Sequence, residues 1–111
     1  MNFEKLAIEH ILPQNPHEDS LWCRDFSQEQ RDLWTDKLGN LVVITGNKNA
    51  SLGRLEYTAK KERYFKRKIP VCHNLARIYH TYGTWTPNDL EANHKKTINE
   101  IKTSFAIENK E

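Results

Sequence analysis

Two adjacent side chains near the N-terminus, Glu9 and His10, place a carboxylate beside an imidazole at the end of a short apolar segment. A carboxylate is a ligand for hard divalent cations, and a neutral imidazole can take up a proton near pH 7. Together they offer what metal-assisted hydrolysis requires. Neighbours in a strand point to opposite faces, so both can serve one site only if the backbone turns after His10, as Pro13 favours. An ordinary hydrogen-bonded or surface Glu-His pair is the alternative.

Two asparagines stand at either end of a later apolar run. Asn40 lies just before Leu41–Thr45, and Asn49 follows Asn40 by nine positions. If that run is a strand pairing antiparallel with the first segment, the chain beyond it brings an amide oxygen back beside Glu9. Each asparagine alone is typical of a turn, and Asn40 after Gly39 keeps a turn or helix-capping role beside any functional one.

The apolar pattern predicts the elements that must position these residues. Residues 6–11 are expected to form a short strand that Pro13 ends, and the β-branched run Leu41–Thr45 a buried strand. A helix is expected over residues 28–38, with a Ser27/Gln30 capping box at its start and Gly39 at its end. Residues 47–68 are expected to form one helix, or two helices broken near Gly53. A short helix over residues 71–80 and a long amphipathic helix from Thr86-Pro87 follow. Two strands with packed helices make a small α+β domain.

Length and composition favour one domain over residues 1–111. Trp22, Trp34 and Trp85 are expected to anchor its core. No segment has the length of an apolar membrane span, and the N-terminus lacks the layout of a secretory signal. These features favour a soluble, cytoplasmic protein with no membrane partner.

Charge is distributed unevenly along the chain. The formal net charge is +2, but residues 54–68 hold seven basic and two acidic side chains, a local +5 that leaves −3 on the remainder. Aromatic residues are interleaved with this run. Such a segment can neutralise nucleic-acid phosphates, although a solvated helix face is the alternative.

Other chemistries have little support. The four glycines are never clustered, which excludes a glycine-rich phosphate loop, and neither HExxH nor GxSxG occurs. Cys23 and Cys72 form no CxxC pair, so neither a disulfide framework nor a four-ligand zinc site is expected. The remaining histidines are expected in surface or capping roles: His17, His73, His80 and His94.

The combined pattern resembles a known family. IEHILPQ at residues 8–14, LGNL at residues 38–41, then Asn49, Lys60 and Tyr64 are similar to the HNH, or His-Me finger, nuclease domain at the C-terminus of GmrSD-type restriction endonucleases. The resemblance covers nearly the whole chain. It implies a ββα-metal core with additional helices, and a DNA endonuclease acting in restriction or anti-phage defence.

The resemblance also implies roles for individual residues. His10 would be the general base, Glu9 and Asn49 would hold one Mg²⁺ or Mn²⁺ ion, and Asn40 would keep the loop and the His10 strand in register. Lys60 is the first choice for a phosphate contact, and the weaker candidates are Lys61, Arg63, Arg54 and Lys48. Family members often carry an arginine where this chain has Asn93, so His94 or Lys95 would have to replace that DNA contact.

Two further readings from other classes stay open. The chain could be a non-catalytic nucleic-acid-binding module on the same fold, or a purely structural interaction domain. The family also implies an N-terminal regulatory or nucleotide-binding domain or subunit that these residues do not include, so the chain can be a C-terminal fragment of a larger protein.

Overall fold

The computed structural model describes residues 6–45, 53–67 and 73–108. Its sheet has two antiparallel strands, β1 (Leu6–His10) and β2 (Leu41–Thr45), with Glu9 opposite Val42 and His10 opposite Leu41. The prediction for β2 is confirmed at both ends, and β1 ends one residue earlier than expected. Because the strands are antiparallel, the end of β1 lies beside the start of β2 and therefore beside Asn40.

Helices make up most of the described chain. They are α1 (Leu21–Asp25), α2 (Gln28–Trp34), a 3₁₀ turn (Leu38–Asn40), α3 (Tyr57–Arg67), α4 (His73–Thr81) and α5 (Pro87–Glu108). The α+β class is thus confirmed. Within the described ranges, none of these helices is both long enough and apolar enough to cross a membrane.

Helix α2 begins as predicted but ends early. The capping box is present: the Ser27 N–H donates to Gln30 Oε1 at 2.9 Å, and the Gln30 N–H donates to Ser27 Oγ at 3.1 Å. The expected stop at Gly39 is wrong, because the helix ends at Trp34 with Thr35 as its C-cap. The Thr35 carbonyl accepts a hydrogen bond from Asn40 Nδ2 at 2.8 Å, which draws the chain into the separate 3₁₀ turn.

The core is built largely from aromatic rings contributed by different helices. Trp22 of α1 and Trp85, just before α5, are each 3% exposed, as expected of core anchors, while Trp34 packs against the core from a half-buried position. Tyr57, at the start of α3, stacks on Trp85 with ring centroids 5.9 Å apart and meets Trp22 edge-on at 6.4 Å. These rings fix the start of α3 relative to the rest of the domain.

Helix α5 holds the 3₁₀ turn through an unusually close approach. A Cβ on Gly39 would lie 2.4 Å from His94 Cα, so only glycine fits there. The Gly39 N–H donates to His94 Nδ1 at 3.1 Å, and Asn93 Nδ2 donates to the Gly39 carbonyl at 2.8 Å. Asn93, 1% exposed, therefore faces the 3₁₀ turn and is not positioned to contact DNA.

Candidate active site at the end of the first strand

A cleft of about 340 Å³ opens where β1 ends. Its lining residues are Ile8, Glu9, His10, Pro13, Gln14, Asn15, Gly53 and Arg54. Glu9 and His10 are neighbours in a strand, yet both contribute to this cleft. Pattern analysis assigned no role to Gln14 or Asn15, although Gln14 lies within the IEHILPQ motif.

The Glu9 carboxylate is paired with a lysine beneath the cleft. Lys60 Nζ lies 2.7 Å from Glu9 Oε1 and also donates to the carbonyl oxygens of His10 at 2.8 Å and Ile11 at 3.0 Å. Lys60 has no exposed surface and Glu9 is 2% exposed. An ammonium group has three N–H donors, so these three acceptors satisfy it completely.

Burial shifts both members of this pair towards their neutral forms. It raises the pKa of Glu9 above its ordinary value, and the attraction of Lys60 and its hydrogen bond oppose that rise. It likewise lowers the pKa of Lys60, and the Glu9 carboxylate opposes the fall. The short contact, in which each proton of the ammonium has an acceptor, is the geometry expected of an ion pair in which each charge offsets the desolvation of the other.

Lys60 therefore does not occupy the position expected of a phosphate contact. Its ammonium is buried and its three protons are donated to protein oxygens, so a phosphate at the surface cannot reach it. Lys60 lies in a run of basic residues, and nothing in the sequence distinguishes it as the buried one. The structure instead joins α3 to the end of β1 through this side chain.

The second carboxylate oxygen of Glu9, Oε2, is buried and has no hydrogen-bond partner within residues 6–45, 53–67 and 73–108. A buried carboxylate oxygen without a partner costs free energy, which a bound cation would recover.

His10 is held by a carboxylate that pattern analysis missed. His10 Nε2 lies 2.9 Å from Asp36 Oδ1, and the side chains are 19% and 82% exposed, respectively. When Nε2–H donates to Asp36, the neutral ring has its lone pair at Nδ1, which is the atom able to take up a proton. Asp36 lies 26 residues from His10 in a loop, so no local spacing could reveal the pair.

Asn40 is fully buried and its side chain is saturated with hydrogen bonds. Its Oδ1 accepts from the Leu12 N–H at 2.8 Å and from Trp85 Nε1 at 3.1 Å. Its Nδ2 donates to the carbonyls of Leu12 at 3.0 Å and Thr35 at 2.8 Å. The amide thus fastens the chain just beyond His10 to the 3₁₀ turn and to the core tryptophan.

The basic residues named as DNA contacts occupy different places. Arg54 is exposed and lines the cleft. Arg63 lines a neighbouring groove of about 440 Å³ beside α3, together with Leu55, Ala59, Glu62 and Lys66. Lys61 is half-buried and donates to the Tyr82 carbonyl at 3.3 Å. Lys48 lies outside the described residues.

The structure thus brings together Glu9, His10 and Arg54, with Asn40 fixing the adjoining loop. Asn49, the other proposed metal ligand, lies outside the described residues. Among the residues that are described, no three His, Cys, Asp or Glu side chains form a group able to hold a metal ion. An ion at Glu9 would therefore need an amide, a backbone oxygen or water as further ligands.

Comparison with known proteins places the chain in a family. No curated protein and no solved structure matches it. One family model does match, described as "GmrSD restriction endonucleases, C-terminal domain", and the match spans residues 1–99, most of the chain and every site residue named above. The protein therefore belongs to the family of C-terminal domains of GmrSD restriction endonucleases.

Proposed function

We propose that this chain is a metal-dependent DNA endonuclease domain of the HNH type that hydrolyses phosphodiester bonds in restriction or anti-phage defence. The family, whose name denotes restriction endonucleases, supports the reaction class. The observation that carries the proposal is that Glu9 and His10 line one cleft together with the exposed Arg54. A metal ligand, a base and a phosphate-binding cation are groups that can act together in metal-assisted phosphodiester hydrolysis.

His10 acts as the general base in this proposal. Its Nδ1 accepts the proton of the attacking water, and its Nε2–H stays donated to Asp36. Asn40 keeps the chain after His10 in place through Leu12, so its role is geometric. The neutral imidazole is the form that accepts a proton, which suits a reaction near neutral pH.

Glu9 and Asn49 are the proposed ligands of the ion. Glu9 Oε2 has no hydrogen-bond partner among the described residues, which fits this role because a carboxylate oxygen is the donor that Mg²⁺ and Mn²⁺ prefer. The bound ion supplies charge stabilisation to the phosphoryl oxygens and to the leaving oxygen.

The proposed DNA path runs from the cleft along α3. Arg54 lines the cleft and the next residue, Leu55, lines the groove beside α3, so the segment leading into α3 borders both depressions. Arg63 and Lys66 continue positive charge along the groove, and Lys61 lies on the same helix. Lys48 stays a proposed contact on its motif position alone.

The test of the function is cleavage of supercoiled plasmid in Mg²⁺ or Mn²⁺ by the wild-type chain and by His10→Ala. We expect metal-dependent nicking that falls by about 100-fold or more in His10→Ala, the usual contribution of a general base. His17→Ala is the matched control, because His17 is an exposed histidine outside the cleft. Nicking that His10→Ala leaves unchanged would contradict the assignment.

A second candidate, the non-catalytic nucleic-acid-binding module, is favoured by one observation. The Glu9 carboxylate is already paired with Lys60, which weakens its need for a metal ion. Salt-sensitive DNA binding that is equal in the wild-type chain and His10→Ala, with no cleavage by either, would establish this alternative. If neither protein binds DNA, the structural interaction domain remains.

A further inference from the structure

We propose that Lys60 is a positioning residue of this site. Its ammonium holds Glu9 Oε1 and the carbonyl oxygens of His10 and Ile11, and thereby orients the Glu9 carboxylate so that Oε2 is the oxygen that binds the ion. The inference rests on the proposed function and deepens it. It assigns Lys60 to the organisation of the metal ligand, in place of the phosphate contact that its motif position implied.

The first argument is that Lys60 forms hydrogen bonds with three consecutive residues of the site. Its ammonium bonds to the side chain of Glu9 and to the main-chain oxygens of His10 and Ile11. These residues include both the proposed ligand and the proposed base, and they span the point where β1 ends. A single buried group on α3 therefore sets the orientation of the carboxylate and the course of the backbone that carries His10.

The second argument is that the two carboxylate oxygens of Glu9 have different surroundings. Oε1 is committed to Lys60 at 2.7 Å, whereas Oε2 is buried and has no hydrogen-bond partner in the described parts of the chain. A carboxylate with both oxygens free could rotate or ligate through either one. The lysine removes that freedom, because turning the carboxylate would break a buried charge-assisted hydrogen bond.

The third argument is that neither arginine nor methionine reproduces the arrangement. The three acceptors converge on one nitrogen, which suits the compact ammonium of lysine. The guanidinium of arginine keeps the charge but spreads its donors over a planar fork. Methionine has a similar length but leaves three buried acceptors without a partner.

The test measures Mn²⁺ binding to the complete chain without DNA, using electron paramagnetic resonance of free Mn²⁺. Lys60→Met and Lys60→Arg are compared with wild type and with Lys61→Met, a neighbouring change of the same charge. Measurements are made in the cold, and the folded fraction of each variant is determined by circular dichroism. Single-turnover cleavage is measured in parallel.

We expect each Lys60 variant to bind Mn²⁺ about 10-fold more weakly per folded molecule, the usual effect of losing a residue that orients a metal ligand, and to cleave more slowly. Lys61→Met should keep the Mn²⁺ affinity of wild type. A purely structural lysine would lower the folded fraction but leave the affinity of the folded molecules unchanged. If Lys60→Met does not fold, Lys60→Arg decides: wild-type Mn²⁺ affinity in that variant would overturn the proposal, because charge alone would then suffice.

Failure of the proposed function would look different. A wild-type chain that neither binds Mn²⁺ nor cleaves DNA would overturn the nuclease proposal and the role of Lys60 with it. A wild-type chain that does both, with Lys60 variants that retain its Mn²⁺ affinity, would overturn the role of Lys60 alone.

Discussion

Asp36 shows how an exposed side chain can matter to a half-buried one. Its carboxylate reaches His10 Nε2 from a loop and is itself 82% exposed, so solvent screens the interaction. Under the proposed function, we expect Asp36 to act by orienting the imidazole and favouring the tautomer with its proton on Nε2.

Replacing Asp36 with alanine is expected to lower the single-turnover cleavage rate about 2- to 5-fold, the range of a screened surface pair, with little change in stability. Asp32→Ala is the matched control, because Asp32 is also exposed and accepts a hydrogen bond from Gln28 instead. Equal rates for the two variants would show that Asp36 does not orient His10.

The Glu9–Lys60 pair makes a prediction about pH. In Lys60→Met, Glu9 loses the attraction and the hydrogen bond that oppose the rise of its pKa, so that pKa moves further above 4.5. The folded variant then keeps a proton that the unfolded chain releases, and its free energy of unfolding falls as the pH rises above 4.5. At neutral pH we expect a loss of about 3–5 kcal/mol relative to wild type.

Urea unfolding at about pH 5 and about pH 8 measures this effect, with Lys61→Met as the reference. We expect Lys60→Met to be nearer to wild type at the lower pH, and Lys61→Met to show no comparable dependence. A Lys60→Met variant that gains stability with rising pH would contradict the sign of the argument.

At this scale the sequence predicts residue types better than partners. Glu9 and His10 could be named as candidates because they are adjacent and lie in a motif. The contacts of Asp36 with His10 and of Lys60 with Glu9 could not be predicted, because they join residues 26 and 51 positions apart and depend on how loops and helices pack. Burial of a lysine has no signature in a run of lysines and arginines.

Among the elements, the 3₁₀ turn carries the site through contacts with α5. Gly39→Ala is expected to cost about 1–3 kcal/mol, because the added methyl group would meet the α5 backbone at His94 and neither side can yield cheaply. Since the next residue is Asn40, activity should fall with stability.

Gly83→Ala is the control for this change, because no atom of the described residues lies within 4 Å of a Cβ placed there. Thermal unfolding of both variants, with plasmid cleavage below the melting temperature, checks the prediction. Equal stability of the two variants would mean that α5 can move away from the turn.

The elements were predictable where the pattern was local. Leu41–Thr45 is a β-branched run between turn residues, and its bounds are those of β2. Helix α1 was not predicted, because five residues are too few to show a helical period. The end of α2 was placed four residues late, because Leu38 and Gly39 belong to a separate 3₁₀ turn that is held by contacts with α5, 54 and 55 residues away.

Across the whole molecule, the family match ends at the point where α5 becomes exposed to solvent. The match covers residues 1–99, and every residue from 99 to 106 is exposed, with Ile101 at 51% and Phe105 at 68%. A chain truncated after Glu100 keeps Asn93 and His94 in contact with the 3₁₀ turn, so we expect it to fold and to retain its cleavage activity.

Truncation after Glu91 is the contrasting variant, because it removes Asn93 and His94 from the turn that they hold. We expect that chain to be unfolded or inactive when circular dichroism and plasmid cleavage are measured. If it cleaved like wild type, the turn would not depend on α5.

The contacts of α5 with Gly39 also determine when the site can form during synthesis. The two hydrogen bonds that fix the turn join residues 54 and 55 positions apart. A ribosome releases Glu9, His10 and Gly39 well before Asn93 and His94, which hold the turn. Under the proposed function, a nascent chain would therefore carry its reactive residues without the ability to cut until α5 has emerged and packed against the turn.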